Sequence, residues 1–537
     1  MSRSIPYLDR VTGAHGEATV WPPMLSVLAL SGYVLLSTIL GRSFTALDPG
    51  NFDASLFMYI GERWLHGSIP YVEIWDNKPP GIFALIAAVF WQFPKSSVAL
   101  AVTEGIFVIG CILTVYAIMR QAGSPWGPAA LSAAIASAVC NLSFYNQHGT
   151  LTEIYLLWPA TLSMLFFIRG IASERIRWIF LAGVCSGIAS LFKPPGMAPL
   201  LAQSSLVLLL LLFGGLSLRV LLASMAANVT GVMVAWLPAI VYFWRYDAVT
   251  ALFDAAFFYN LQYGAAKHSD SLSVLLNMIT VLTPLTSLMI GGFILAIYIS
   301  NQVFRTHRLP TVAIGSMSKP HYVAILAFFW TLFDLAGAVA GGRNYPHYFL
   351  TLGPSLSVTA GLIYWFLLDA PTKAVKTSLL PVALFAFILG PLPFEQILDL
   401  RKARLFVVNG PSAYEDREIA ELLKARRSEG DKLFIWNYRP AIFLLSGMRS
   451  PSRLLDAHYL RDFAGARDEF GREIFVALER ENPAFIVDGT REPEKRAASD
   501  PYYKKFRVFV DRQYELIHVT PKDGLQLYEI RRGKADL

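Results

Sequence analysis

Long apolar runs broken by short polar loops make up the chain as far as Pro393; beyond it the pattern changes to short alternations and half-apolar helical faces. A bilayer core takes about 20 apolar residues per helix. Runs of that kind lie near residues 24–41, 97–119, 126–145, 154–169, 178–192, 197–217, 220–243, 273–300, 321–341, 346–367 and 377–393, so the pattern predicts about eleven spans. The stretch Gly81–Phe93 is too short to cross and follows a Pro-Pro pair, which predicts a helix lying in the interface. The chain runs polar before its first apolar span, whereas a cleaved signal puts its apolar core earlier, so Met24–Leu40 is expected to be retained as a helix.

After Pro393 the texture is that of a soluble protein. Lys432–Asn437 and Ala484–Val487 predict short buried strands, and Glu418–Arg426 and Glu469–Arg480 have helical spacing. Phe506–Val510 and Leu525–Ile530 are expected to pair as strands near the end. The predicted organisation is an α-helical polytopic membrane domain, 1–394, carrying an outer loop 42–96, followed by a small α/β domain, 395–537.

Orientation follows from Lys and Arg in short loops. With Arg3 and Arg10 inside, the even-numbered connections are basic: Arg120; Arg169, Arg175 and Arg177; Arg219; Arg305, Arg308 and Lys319; Lys373 and Lys376. The outward connections are then 42–96, 146–153, 193–196, 244–272 and 342–346. An odd number of spans puts the C-terminal domain outside the cytoplasm.

Composition removes the alternatives. Of 537 residues, 54% are hydrophobic and 16% charged, with mean hydropathy +0.45; an ordinary soluble chain is about 25% charged. Disorder, coiled coil and a cytosolic enzyme are excluded. The net charge of +7 fits basic inner loops and forms no contiguous basic face, so nucleic acid is not an expected partner. Cys111, Cys140 and Cys185 are isolated in apolar stretches and read as packing.

The polar, information-rich segments fall on the outward side. The first outer loop carries Asp48, Asp53, Glu62, Glu73 and Asp76, with Lys78 beside Pro79 and Pro80. Asp53 begins a stretch, Ala54–Trp64, with apolar residues at helical spacing. A carboxylate at a helix N-terminus is held by free backbone N–H groups, which on spacing alone reads first as a plain N-cap and otherwise suits a general base. Glu104 and Asp334 lie inside spans, where a carboxylate faces a polar cavity or pairs with a neighbouring helix, pairing being the expected fate.

The string D-x5-Y, then G-x-x-P-Y, then W-D-x-K-P-P-G resembles the first outer loop of the GT-C glycosyltransferases, in the bacterial branch related to protein O-mannosyltransferases and lipid A aminoarabinose transferases. Here those residues are Asp53, Tyr59, Gly67, Pro70, Tyr71, Trp75, Asp76, Lys78, Pro79, Pro80 and Gly81. The resemblance continues at GTLTEIYLLWP with Glu153, at LFKPPG with Lys193, at GGRNYPHYFLTLGP with Arg343, Tyr345, His347 and Tyr348, and at IWNYRPAIFLLSG in the outer domain.

The resemblance implies an inverting transferase that moves a sugar from a polyprenyl phosphate to an acceptor hydroxyl on a lipid, glycan or protein. It makes Asp53 the base, with Asp48 as the fallback, and Glu153 a second acid that positions the acceptor or a metal. Tyr59, Asp76, Lys78, Lys193, Arg343 and His347 are expected at the substrate, the cations at the lipid phosphate. Metal use differs among branches, so a divalent cation near Asp53 and Glu153 stays open. A transporter or flippase of lipid-linked sugars is the rival; it would place polar residues near the midplane with repeat symmetry between halves, and neither is visible here.

Overall fold

A computed structural model describes residues 24–47, 52–146, 149–212, 217–261, 278–286, 288–293, 319–368, 414–462, 466–490 and 493–531. The main helices are α1 (Met24–Leu47), α2 (Phe52–Leu65), α3 (Gly81–Gln92), α4 (Ser97–Gln121), α5 (Trp126–Cys140), α6 (Ser143–Asn146), α7 (Thr152–Ser173), α8 (Ile176–Phe192), α9 (Ala198–Leu212), α10 (Leu218–Arg245), α11 (Val249–Phe253), α12 (Lys319–Val339) and α13 (Leu352–Leu368). Among the described residues, seven helices are long and apolar enough to cross a membrane. Two further expected spans form shorter apolar helices, α5 and α8. The span expected at 273–300 falls partly, and those at 377–393 and the 394/395 boundary wholly, outside the described residues. Leu36, Leu113 and Leu212 stay 59%, 61% and 68% exposed on their helices, an arrangement that lipid tails satisfy and water does not. The protein is a multi-pass membrane protein.

The helix ends are tied together by polar groups. Glu104 in α4 is fully buried and accepts from Arg42 Nη1 at 3.1 Å, Thr45 Oγ1 at 2.9 Å and the Thr150 N–H at 2.6 Å. The expected pairing is thus with an arginine as well as with hydroxyls, and it fixes the turn that leads into α7. Asp334 in α12 is buried too, and its Oδ2 has no partner among the described residues.

In the C-terminal part, strands β1 (Leu433–Trp436), β2 (Phe485–Asp488), β3 (Tyr514–Val519) and β4 (Gln526–Ile530) form a sheet of order β1-β2-β4-β3. β1 and β2 are parallel, and the other pairs antiparallel. Helices Tyr414–Arg426 and Arg467–Glu481 stand where helical spacing predicted them. One expectation is corrected: Phe506–Val510 belongs to helix Pro501–Gln513, and β4 pairs with Tyr514–Val519 instead. Asp500 caps that helix, Pro501 opens it, and Tyr503, Phe506 and Val510 bury at helical spacing, a pattern that outweighs the β-propensity of Phe and Val.

The sheet shares one continuous core with α2, α3 and the loop between them. Trp75 is its pin. Its ring lies edge-on to Tyr459, Tyr259 and Phe470, its backbone N–H donates to the Arg453 carbonyl at 2.9 Å, and its own carbonyl accepts from the Tyr459 hydroxyl at 3.0 Å. The segment between α2 and α3 is therefore gripped between the helical bundle and the sheet.

Candidate active site

Two copies of the tetrapeptide KPPG build the cationic side. In the first, Lys78-Pro79-Pro80-Gly81, the prolines set up the start of α3 and Gly81 lies against α8, where a Cβ would stand 2.6 Å from the Leu191 carbonyl oxygen. In the second, Lys193-Pro194-Pro195-Gly196 leaves α8 in a 3-10 turn, and a Cβ on Gly196 would meet Ala189 backbone at 2.3 Å. Only glycine permits either approach. The two turns are thereby brought to the same end of α8, and the charge of Lys78 acts on Lys193.

Lys78 is held from several directions. Its carbonyl accepts from the Tyr71 hydroxyl at 2.7 Å, its Nζ donates to Asn77 Oδ1 at 2.8 Å, and Asn77 is pinned to Asn260 by 2.8 and 2.7 Å bonds. Tyr71 has φ +71°, a conformation costly for a bulky side chain. Lys193 forms an ion pair with Glu153 Oε1, and its Nζ sits 3.5 Å from the centre of the Tyr348 ring. His347 Nε2 lies 4.0 Å from the same Glu153 oxygen, while Thr152 Oγ1 donates to the other at 2.8 Å.

Asp53 is the second residue of α2 rather than its cap. Its Oδ1 accepts a 2.9 Å bond from the hydroxyl of Tyr438, a residue of the C-terminal part. Its charge acts on Lys193 and His347. Asp76 is buried beside it: Oδ1 accepts from the Asn77 N–H at 2.8 Å, and Oδ2 has no partner among the described residues. Burial pushes the Asp76 carboxyl above its ordinary range, against the pull of Lys78 and the Asn77 N–H.

The structure thus gathers Asp53, Asp76, Lys78, Glu153, Lys193 and His347, with Arg343 half-buried on the loop that delivers His347. Asp48 lies outside the described residues. Two residues take up other work. Tyr59, expected at the substrate, is 2% exposed and donates its hydroxyl to the Met448 carbonyl at 2.9 Å, so it docks α2 on the sheet. Glu153, expected as a second acid that positions the acceptor or a metal, has its oxygens bonded by Lys193 and Thr152. Among the described residues no three His, Cys, Asp or Glu side chains converge as a metal site.

Sequence reasoning missed His458 and Asp456. His458 Nδ1 meets Asp456 Oδ1 at 2.5 Å, and its ring packs on Tyr438 at 4.3 Å. The signal was the short string DAHY in a domain otherwise read only for strands and helices.

The family model described as dolichyl-phosphate-mannose-protein mannosyltransferase matches residues 77–210, the segment that holds Lys78, Glu153 and Lys193. ArnT from Cupriavidus metallidurans bound to undecaprenyl phosphate is similar in fold: 15% identity, 95% of this chain and 98% of that one covered, TM-score 0.54. The apo state of that protein gives 15% identity, 96% and 98% coverage and a TM-score of 0.51. Archaeal oligosaccharyltransferase AglB from Archaeoglobus fulgidus, in complex with an inhibitory peptide and a dolichol-phosphate, is similar at 12% identity over 96% of this chain and 75% of that one, TM-score 0.53. No curated protein sequence matches the chain. Over residues 77–210 the chain is similar to that mannosyltransferase family, and over nearly its whole length it shares the fold of these solved structures.

Proposed function

We propose that the protein transfers a sugar, with inversion, from a polyprenyl-phosphate carrier to an acceptor hydroxyl at the outer face of the membrane. The observation that carries this reading is Asp53, bonded by the Tyr438 hydroxyl at 2.9 Å, lying within electrostatic reach of Lys193 and His347, on which Lys78 also acts. Asp53 takes the proton of the acceptor hydroxyl as that oxygen bonds to the anomeric carbon. The bond from that carbon to the phosphate oxygen breaks, and the carrier phosphate leaves with the electron pair. Cations are required where that charge grows, and Lys78, Lys193 and Arg343 supply them, with the His347 ring beside Glu153. The neighbours solved with undecaprenyl phosphate and dolichol-phosphate support a lipid-linked donor.

Removing the gene should delete one sugar-bearing species from the cell envelope, read by mass spectrometry of glycolipids and glycans. An envelope identical with and without the gene would sink the proposal. The species that disappears names both sugar and acceptor.

The outward orientation rests on the basic loops and the parity of about eleven spans. Alkaline phosphatase fused after residue 537 should be active in cells. A cytoplasmic reporter active at the same point would reverse the orientation and move the site to the inner face.

A further inference from the structure

We propose that Tyr438, delivered by the C-terminal sheet domain, is a positioning residue that aims the Asp53 carboxylate at the acceptor hydroxyl. This rests on the reading of Asp53 as the base. It gives the sheet domain a part in the reaction, beyond covering the outer loop.

Tyr438 stands just past the C-terminal end of β1, where parallel strands commonly present functional side chains. The residue before it, Asn437, has φ +96°, a left-handed conformation that a non-glycine residue keeps only when its surroundings over-determine it. They do: Asn437 Nδ2 donates to the Gly489 carbonyl at 3.1 Å, and its Oδ1 accepts from the Tyr438 N–H at 2.9 Å. The phenol ring is then packed on His458 at 4.3 Å. His458 is fixed in turn by Asp456, which bonds both its backbone N–H (2.8 Å) and its Nδ1 (2.5 Å). Asp456 is bridged to β1 at Ile435. Each link leaves the Tyr438 hydroxyl less freedom.

That hydroxyl donates to Asp53 Oδ1 at 2.9 Å, and Oδ2 takes the acceptor proton. Burial, with the charges of Asp53 and Asp76, pushes the phenol well above its ordinary value, so it remains a donor. Asp53 is also within the electrostatic reach of Asp76, Lys193 and His347. None of these is shown bonding it; Tyr438 is.

The test is Tyr438→Phe in the full chain, which keeps the ring and removes the donor. In washed membranes, with transfer read by mass spectrometry, turnover should fall roughly 10–100-fold, the effect of a misaimed catalytic group. The acidic limb of the pH–rate profile should move to higher pH, because a hydroxyl donated to a carboxylate favours its ionised form. Stabilisation of the purified protein by undecaprenyl phosphate should match wild type. Adding Tyr438→Phe to Asp53→Asn should cost nothing further, since both act on one step. A wild-type rate and pH profile for Tyr438→Phe, with Asp53→Asn inactive, overturns the positioning role alone. If Asp53→Asn is active as well, the base reading has failed. If Tyr438→Phe no longer inserts or responds to undecaprenyl phosphate, the residue is structural and the proposal falls.

Discussion

Asp53→Asn should leave a folded, membrane-inserted protein that transfers sugar about 10²–10⁴-fold more slowly, the usual contribution of a positioned general base. The substitution keeps the shape of the side chain. An Asn Oδ1 still accepts the Tyr438 hydroxyl, so the 2.9 Å bond between α2 and the sheet domain survives. What it removes is the ability to take a proton. Stabilisation by undecaprenyl phosphate should persist, because Lys78, Lys193 and His347 are untouched. Near-normal transfer would return Asp53 to a structural role and move the search for the base to Asp76, whose Oδ2 is buried without a partner among the described residues.

Much of this geometry was legible in the chain because it is written in local signals. The two KPPG strings marked Lys78 and Lys193 as loop residues at helix ends, and an acid before Ala54–Trp64 marked a helix start. Apolar length alone located the seven described helices long enough to span, and the shorter α5 and α8. The partners were not legible, because they come from far along the chain. Tyr438 reaches Asp53 across 385 positions and Lys193 reaches Glu153 across 40, and no spacing rule covers such pairs. Tyr59 has a distant partner too. Its helix spacing is correct, but its hydroxyl is claimed by Met448, 389 residues on. Phe506–Val510 misled differently, since its apolar residues satisfy strand composition while Asp500 and Pro501 set a helix in register just ahead of it.

Glu153→Gln should lower stability by about 3–5 kcal/mol, the cost of leaving one member of a buried ion pair uncompensated. Glu153 is 1% exposed, and the Lys193 ammonium beside it also feels the charge of Lys78. In the resting protein the carboxylate is the counter-charge that keeps two lysines tolerable at one end of α8. A lipid phosphate entering the site would offer the same counter-charge. Linkage then requires undecaprenyl phosphate to raise the melting temperature of Glu153→Gln more than that of wild type, since a ligand stabilises most the state whose charge it repairs. Glu153→Gln combined with Lys193→Met should recover much of the lost stability, as replacing both members of a buried pair commonly does, and should show a weakened response to the lipid. A melting temperature unchanged by Glu153→Gln would show the pair to be solvated. An unchanged lipid response would separate Lys193 from the phosphate and leave that work to Lys78, Arg343 and His347.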